Sequence, residues 1–264
     1  MVNNFDENRF HRRFIDAINN KEFEIYLQFI VDSENETVSG AEALSRWHCP
    51  ESGVVNPGKY IEVVNKTRMI DELDLLVLEM VCSQLELWNG TEKENLFMSC
   101  NFTRATVSRE DFAERFLEII DKYDFDRENL VAELTEDTFS DDEESAYNNI
   151  IMCKEAGVKI AIDDLGSGYT SLSDLCSYPV DIIKIDRDII KKSASVKGRI
   201  LLSGISDIAH KMGIKVIHEG IENAEELKLA HEGDCDYIQG FYYSKMLPLE
   251  EAEAFLNNSV YYRK

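Results

Sequence analysis

The segment Val158-Lys159-Ile160-Ala161-Ile162-Asp163-Asp164 carries the pattern that decides the fold. It is a short apolar run that ends in two acids, and Ile182-Ile183-Lys184-Ile185-Asp186 repeats the pattern further along the chain. Runs of this length and composition predict β-strands, here at 158–162 and 182–185. The segments between such runs carry apolar residues at helical spacing, so strands and helices are expected to alternate.

The same alternation extends over most of the chain on both sides. Further strands are predicted at 24–31, 36–47, 96–100, 130–134, 214–217 and 236–238. Helices are predicted at about 6–19 and at 72–87, 110–121, 141–156, 189–212 and 224–231. The first two strands flank turn-prone residues and predict a hairpin. About eight strands in β-α units favour one α/β barrel over an open doubly wound sheet, and no linker divides residues 1–264, so a single domain is expected.

The composition excludes several classes of protein. The 264 residues include 51 acidic and 28 basic side chains, which give a formal net charge of −23, and 44% of them are hydrophobic. The apolar content argues against disorder, and the acidic balance argues against broad binding of DNA, RNA or anionic membranes. No run approaches the roughly 18 apolar residues of a membrane helix, and the first residues lack a secretory signal, so we expect a cytoplasmic protein that does not insert into a membrane. The six cysteines show no C-x-x-C spacing, so neither a zinc site nor a redox motif is predicted.

Polar residues stand where the predicted strands end. They comprise one lysine, two amides and five carboxylates: Glu42, Asn101, Glu133, Asp163, Asp164, Lys184, Glu219 and Gln239. Taken singly, each acid has an ordinary alternative role as the cap of the next helix. In a β/α barrel, however, the strand ends meet in one mouth, where five ionised carboxylates need cations to offset their repulsion. An all-oxygen set suits Mg²⁺ or Mn²⁺, and the pair Asp163-Asp164 could bridge two ions as in phosphodiester hydrolysis.

Seven motifs in order resemble those of the EAL domain family of cyclic di-GMP phosphodiesterases. Residues 42–47 read E-A-L-S-R-W against the family's E-A-L-x-R-W, and residues 163–172 read D-D-L-G-S-G-Y-T-S-L against D-D-F-G-x-G-Y-S-S-L. The remaining five match N-x-S/T, E-L-T-E, K-I-D, E-G-V-E and Q-G, and they begin at Asn101, Glu133, Lys184, Glu219 and Gln239. The order and spacing hold over about residues 22–250.

The resemblance implies a modified, TIM-type (β/α)8 barrel whose first strand runs antiparallel to the rest. It also implies that two Mg²⁺ or Mn²⁺ ions are held by Glu42, Asn101, Glu133, Asp163, Asp164 and Glu219. Gln239 would support a water ligand, and Lys184 would contact the attacking water. The expected catalytic residues are therefore Glu42, Asp163, Lys184 and Gln239.

On the substrate side, the resemblance implies that Arg46 grips a phosphate as a bidentate donor. It further implies that Gln28, Leu44 and Asp186 contact the nucleotide. Residues 163–171 correspond to a mobile loop that links metal occupancy to a dimer interface. The glutamates that steady this loop match Glu136 and Glu222, and a homodimer is expected.

The leading hypothesis is a phosphodiesterase that opens cyclic di-GMP to linear pGpG with water activated by two metal ions. One alternative is an EAL-type barrel that binds cyclic di-GMP or docks a protein without turnover. A third is an unrelated metal-dependent barrel enzyme that acts on another phosphate ester. Departures from the family pattern at Ser45, Asn65, Leu165 and His218 bear on affinity and dimer coupling, whereas the matched metal ligands and the lysine are all present.

Overall fold

The chain folds into a closed barrel of eight strands surrounded by helices, which confirms the predicted α/β barrel. The computed structural model describes residues 7–66, 69–135, 138, 144–165, 174–176 and 178–258. Its strands are β1 (Phe23–Asp32), β2 (Val38–Cys49), β3 (Gly53–Val55), β4 (Phe97–Phe102), β5 (Leu130–Thr135), β6 (Lys159–Leu165), β7 (Ile182–Ile185), β8 (Lys215–His218), β9 (Tyr237–Gln239) and β10 (Leu247–Pro248).

The helices pack outside the strands. They are α1 (Glu7–Asn19), α2 (Ile61–Lys66), α3 (Ile70–Trp88), α4 (Arg104–Val107), α5 (Phe112–Ile120), α6 (Glu144–Glu155), α7 (Arg187–Lys192), α8 (Val196–Lys211), α9 (Ala224–Glu232) and α10 (Leu249–Asn258). The main apolar core lies between these helices and the outer faces of the strands. No helix among the described residues is long and apolar enough to cross a membrane.

The first strand closes the barrel in the antiparallel sense. β1 pairs antiparallel with β2 on one side and with β9 on the other, and the neighbours from β2 and β4 through β9 are parallel. The hairpin between β1 and β2 is fixed by Asp32, whose Oδ1 accepts hydrogen bonds from the amides of Glu34 and Asn35. The antiparallel first strand implied by the resemblance is therefore confirmed. β3 and β10 are short additions that pair with β2 and β1.

Inside the barrel, an apolar layer lies beneath a polar layer. The apolar layer comprises Ile30, Phe97, Val131, Ala161, Ile182 and Ile217, with Tyr237 packed against it. Because side chains alternate along a strand, positions two residues nearer the mouth share the same inward face. These positions carry the polar residues Gln28, Ser99, Glu133, Asp163, Lys184, Glu219 and Gln239. Glu42 of β2 is paired with Ser99 and belongs to the same layer. The barrel therefore presents a polar ring above an apolar floor.

The predicted single helix at 189–212 is wrong, because the chain forms two helices there. α7 ends at Lys192, and α8 begins after Ser195, whose hydroxyl accepts a hydrogen bond from the amide of Gly198 at 3.1 Å. The two helices meet so closely that a Cβ at Gly198 would lie 1.9 Å from the carbonyl oxygen of Lys192. The Ser-x-x-Gly spacing was the available sign of this new helix start.

The corner between β4 and α4 is held by a buried acid on α3. Asp74 Oδ2 accepts hydrogen bonds from the Thr103 amide at 3.0 Å, the Thr103 hydroxyl at 3.1 Å and the Thr106 hydroxyl at 2.6 Å. This corner directly follows Asn101, so it fixes where β4 ends. Burial raises the pKa of Asp74 to about 6.

We expect the stability of the protein to depend on pH through Asp74. The folded-state pKa of this carboxyl lies above that of an unfolded chain, so the folded protein binds the proton more tightly. Its stabilising contribution is complete below about pH 4 and is lost as the pH rises towards 6. Between pH 4 and 7 the free energy of unfolding should fall by up to about 3 kcal/mol more in the wild type than in Asp74→Asn. Urea unfolding at several pH values measures this difference, and parallel profiles would contradict it.

Candidate active site

Lys184 lies at the centre of the polar layer. Its Nζ is 2.7 Å from Glu219 Oε1, 2.8 Å from Glu133 Oε2, and 3.4 Å from both Glu42 Oε2 and Asp163 Oδ1. The lysine side chain is only 1% exposed. One buried cation from β7 therefore contacts four carboxylates that come from β2, β5, β6 and the end of β8.

Two amides hold the carboxylate of Glu42 in place. Asn101 Nδ2 donates to Glu42 Oε1 at 2.8 Å, and Gln239 Nε2 donates to Glu42 Oε2 at 2.6 Å. Gln239 Nε2 also lies 3.3 Å from Gln28 Oε1, and Gln28 Nε2 donates to the carbonyl oxygen of Ser244 at 3.4 Å. The strand-end residues predicted from the sequence thus form one connected network around the barrel.

Burial and mutual repulsion set the protonation of this network. Burial raises the pKa of Glu133 to about 8 and that of Glu219 well above its usual value, and neighbouring carboxylates add to both shifts. Burial also acts to raise the pKa of Glu42, but the charge of Lys184 and the amide hydrogen bonds lower it. Burial acts to lower the pKa of Lys184, but the four carboxylates raise it well above its ordinary value. One lysine therefore offsets too little negative charge, a condition that a divalent cation relieves.

Asp163 and Asp164 both reach the mouth because β6 is irregular there. Adjacent residues of a regular strand point to opposite faces, so two consecutive acids could not share one site. The pairing of β6 with β7 shifts register between Ile162 and Leu165, and Asp164 has a φ of +56°. This left-handed conformation is strained for a residue other than glycine, and such strain is often found at functional sites. The Asp164 amide donates to Asp163 Oδ1 at 2.9 Å, which ties the two acids together.

The polar ring has the chemistry of a divalent metal site. One oxygen from each of Asp163, Asp164 and Glu219 lies within 4.8 Å of the other two. Within the described residues, Glu133 Oε1 and Gln239 Oε1 are buried and have no hydrogen-bond partner. Buried oxygens without partners, combined with excess negative charge, fit Mg²⁺ or Mn²⁺, which prefer oxygen ligands. The arrangement therefore brings together all six predicted ligands and Lys184.

A cavity of about 320 Å³ opens directly above the polar ring. Its walls include the predicted substrate residues Gln28 and Leu44 together with site acids and residues of the loops that follow β8 and β9. The loop residues are Gly220, Glu222, Gly240, Phe241 and Met246. Phe241 is 46% exposed at this rim, so its ring is accessible to a ligand.

Arg46 lies beside the cavity on the same face of β2 as Glu42 and Leu44. Its Nη1 donates to the carbonyl oxygen of Ser45 and its Nη2 contacts Met246 Sδ, each at 2.8 Å, while its Cζ lies 5.4 Å from the centre of the Tyr26 ring. The residue is 7% exposed. Within the described part of the chain its polar contacts are neutral, so a phosphate would complete the surroundings of this guanidinium.

The predicted site residues Asp186 and Glu222 form hydrogen bonds with α7, and the third, Glu136, lies outside the described residues. Asp186 caps α7, because its Oδ1 accepts a hydrogen bond from the Asp188 amide at 2.7 Å, and it is not among the described residues that line the cavity. Glu222 lines the cavity and accepts a hydrogen bond from Arg187 Nη2 at 2.5 Å. Glu136 and residues 166–173 lie outside the described residues, so the loop roles of Glu136 and Glu222 stay predictions.

His218 faces away from the polar ring. It is fully buried between β8 and the helices, its Nδ1 lies 3.1 Å from the carbonyl oxygen of Ala230, and a Cβ at Gly233 would lie 2.7 Å from its Cε1. Burial lowers the pKa of His218 to about 4, so the ring is neutral at physiological pH. The histidine next to Glu219 is therefore a packing residue.

The chain is similar to known proteins over most of its length. The model of the EAL domain family matches residues 11–246. The chain is 31% identical over 241 residues to the probable cyclic di-GMP phosphodiesterase PdeB of Escherichia coli, covering 91% of this chain and 46% of that protein. It is 30% identical over 241 residues to the cyclic di-GMP phosphodiesterase NbdA of Pseudomonas aeruginosa, covering 91% of this chain and 31% of that protein.

A solved structure has the same fold over nearly the whole of this chain. The structure of the EAL enzyme Bd1971 in its cAMP- and cyclic-di-GMP-bound form superposes with a TM-score of 0.86 at 29% identity, and the match covers 95% of this chain and 69% of that one. The chain spans less than half the length of the two phosphodiesterases named above.

Proposed function

This chain belongs to the EAL domain family, and on that premise we propose that it is a metal-dependent phosphodiesterase that hydrolyses cyclic di-GMP to linear pGpG. The observation that carries the proposal is the polar ring, in which Lys184 meets four carboxylates at the mouth of the barrel. Relatives named as cyclic di-GMP phosphodiesterases support the substrate. A cluster of buried charge is costly to fold, and this cost favours a role for the cluster in binding metal ions.

The residues proposed to hold two Mg²⁺ or Mn²⁺ ions are Glu42, Asn101, Glu133, Asp163, Asp164 and Glu219. Bound there, such ions would supply the positive charge that activates water and offsets the charge of the phosphate. Gln239 orients the carboxylate of Glu42 through its 2.6 Å hydrogen bond. Lys184 Nζ would donate a hydrogen bond to the attacking water and so hold it in line with the scissile bond.

In the proposed reaction, the water oxygen attacks one phosphorus and the bond from that phosphorus to the ribose O3′ breaks. A proton passes to O3′, so the ring opens to pGpG with a terminal 5′-phosphate. Arg46 would bind a phosphate as a bidentate donor, with Gln28 and Leu44 against the nucleotide at the cavity wall. Asp186 is proposed to contact the nucleotide from the end of β7, where its side chain also caps α7.

We expect the purified protein to convert cyclic di-GMP to pGpG with Mg²⁺ or Mn²⁺ and to form no product with a chelator. Glu42→Ala should form no product under any condition, because it removes an acid at the centre of the network. Chromatography of the nucleotides after incubation measures both results. If the folded protein binds cyclic di-GMP with each metal but yields no product, the receptor alternative replaces the enzyme.

The homodimer is also proposed, and an exposed row of apolar residues on α8 supports it. Val196, Ile200, Leu201 and Ile208 are all exposed on α8, and such a row is the kind of surface that a second copy could cover. Light scattering of the purified protein gives its mass in solution. The single domain over residues 1–264, the cytoplasmic location and the absence of DNA or RNA binding stay predictions.

A further inference from the structure

Arg187 forms ion pairs with two glutamates next to the cavity. It is the first residue of α7, and its Nε and Nη2 donate to Glu226 Oε1 at 3.2 and 2.8 Å. Its Nη2 also donates to Glu222 Oε2 at 2.5 Å. The two acids differ in exposure, since the side chain of Glu226 is 9% exposed and that of Glu222 is 43% exposed and lines the cavity.

The position of Arg187 is fixed by its surroundings. Glu226 Oε2 accepts a hydrogen bond from the Glu222 amide at 2.8 Å, so this buried acid joins the loop after β8 to the guanidinium. The aliphatic stem of Arg187 packs over Gly220, where an added Cβ would lie 2.7 Å from Arg187 Cβ. The charge of Arg187 is therefore held directly behind Gly220 and Glu222, which line the cavity.

The charge of Glu222 is offset differently from the charges of the acids proposed to bind metal. Glu42, Asp163 and Glu219 line the same cavity, but they contact Lys184 and are proposed to hold metal ions. For Glu222, the ion pair seen among the described residues is the one with Arg187. A cyclic dinucleotide carries two negative phosphates, so an uncompensated carboxylate on this wall would repel it.

We propose that Arg187 is a positioning residue that neutralises Glu222 at the cavity wall and thereby permits an anionic dinucleotide to bind. This inference rests on the proposed function, and it assigns to Arg187 an effect on substrate affinity rather than on the chemical step. The guanidinium acts through Glu222 and need not touch the substrate.

The test is the salt dependence of KM in Arg187→Met, which keeps the apolar stem over Gly220 and removes the charge. At about 20 mM salt, KM for cyclic di-GMP should rise about tenfold, while kcat stays within about twofold. At about 0.5 M salt the difference in KM should shrink to about twofold, because salt screens exposed charges. Arg187→Lys, which retains the charge, should stay within about threefold of the wild type at either salt concentration.

The double variant Arg187→Met/Glu222→Gln separates neutralisation from a structural role. If Arg187 acts by neutralising Glu222, removing both charges should return KM to within about threefold of the wild type. If Arg187 only braces the loop through Glu226, the double variant should be at least as impaired as the single one, and its defect should not depend on salt. The second result would overturn the inference.

Arg115 offers a matched control on the outside of the barrel. Its side chain is 27% exposed, against 26% for Arg187, and it also pairs with one buried and one exposed acid, Asp71 at 3.1 Å and Glu72 at 2.8 Å. Arg115→Met changes the net charge equally, so it should leave KM unchanged at both salt concentrations. An equal rise in KM would show that net charge alone matters and would overturn the inference.

Failure of the inference can be told apart from failure of the proposed function. If the wild type hydrolyses cyclic di-GMP and Arg187→Met has the same KM at low salt, the role of Arg187 is contradicted and the proposed function is not. If the wild type neither binds nor hydrolyses cyclic di-GMP, the proposed function fails and the inference falls with it.

Discussion

Lys184→Met is expected to lower kcat for cyclic di-GMP hydrolysis by about 10³-fold and to change KM by less than about threefold. The ammonium is proposed to hold the attacking water and to offset charge that develops in the transition state, so its loss acts on the chemical step. The methionine fills the space of the lysine stem within the barrel. Steady-state kinetics with saturating Mg²⁺ measures both constants.

Lys215→Met provides a control for the loss of a positive charge. Lys215 pairs with Asp236 Oδ1 at 2.6 Å at the start of β8, at the opposite end of the barrel from the mouth. Its replacement should leave kcat within about twofold. Unchanged turnover in Lys184→Met would remove the role assigned to this lysine, whatever happens to stability.

Lys184→Met should also make the protein depend more strongly on metal for its stability. Within the described residues, Lys184 is the cation that contacts Glu133, whose side chain is 1% exposed. Removing the cation of a buried ion pair destabilises the fold, because the carboxyl left behind must either keep an uncompensated charge or bind a proton. The melting temperature of the variant should therefore be lowered in chelator and largely restored by Mg²⁺.

The second large effect is expected for Asp163→Asn, which should weaken binding of Mn²⁺ by at least about 100-fold and abolish turnover. The amide is nearly isosteric and can still accept the hydrogen bond from the Asp164 amide, seen at 2.9 Å. What it removes is the negative charge next to Asp164 and Glu219, with which Asp163 forms the carboxylate cluster. Titration calorimetry of the metal-free protein with Mn²⁺ measures the affinity.

Asp121→Asn is the control for this experiment. Asp121 lies at the end of α5, is exposed, and pairs with Arg127 at 2.5 Å, far in the fold from the strand ends. Its replacement removes the same charge and should leave Mn²⁺ affinity unchanged. Undiminished affinity in Asp163→Asn would show that the ligand assignment is wrong.

Much of the barrel could be predicted from the sequence because its signals are local. The apolar runs that became β5 and β7 were recognisable residue by residue, and the polar residue nearest the mouth of each, Glu133 or Lys184, marks the inward face. Alternation along a strand then places Val131 and Ile182 in the apolar floor beneath them. The antiparallel first strand was implied by the family motifs and agrees with the hairpin that the turn-prone residues between the first two strands predicted.

Other features depended on contacts that no local pattern contains. The division of the predicted helix at 189–212 follows from the close approach of Gly198 to Lys192 and the cap at Ser195. In the sequence, Arg187 and Glu226 are ordinary polar residues of two helices. They form an ion pair because α7 and α9 lie side by side. Met246 likewise becomes a cavity residue because the chain returns to pair with β1.

The sequence by itself determined which residues stand at the strand ends and which chemistry they can perform, since side-chain type and alternation are properties of a short segment. Only the tertiary structure decided that Lys184 contacts four carboxylates, that Asp163 and Asp164 turn to the same side, and that Arg187 pairs with Glu222. The physical reason is that the contacts of Lys184 and Arg187 join residues distant in the chain, and that the turn at Asp164 depends on how β6 pairs with the neighbouring strand β7. Closure of the barrel, its strand register and one irregular pairing in β6 bring them within hydrogen-bond distance.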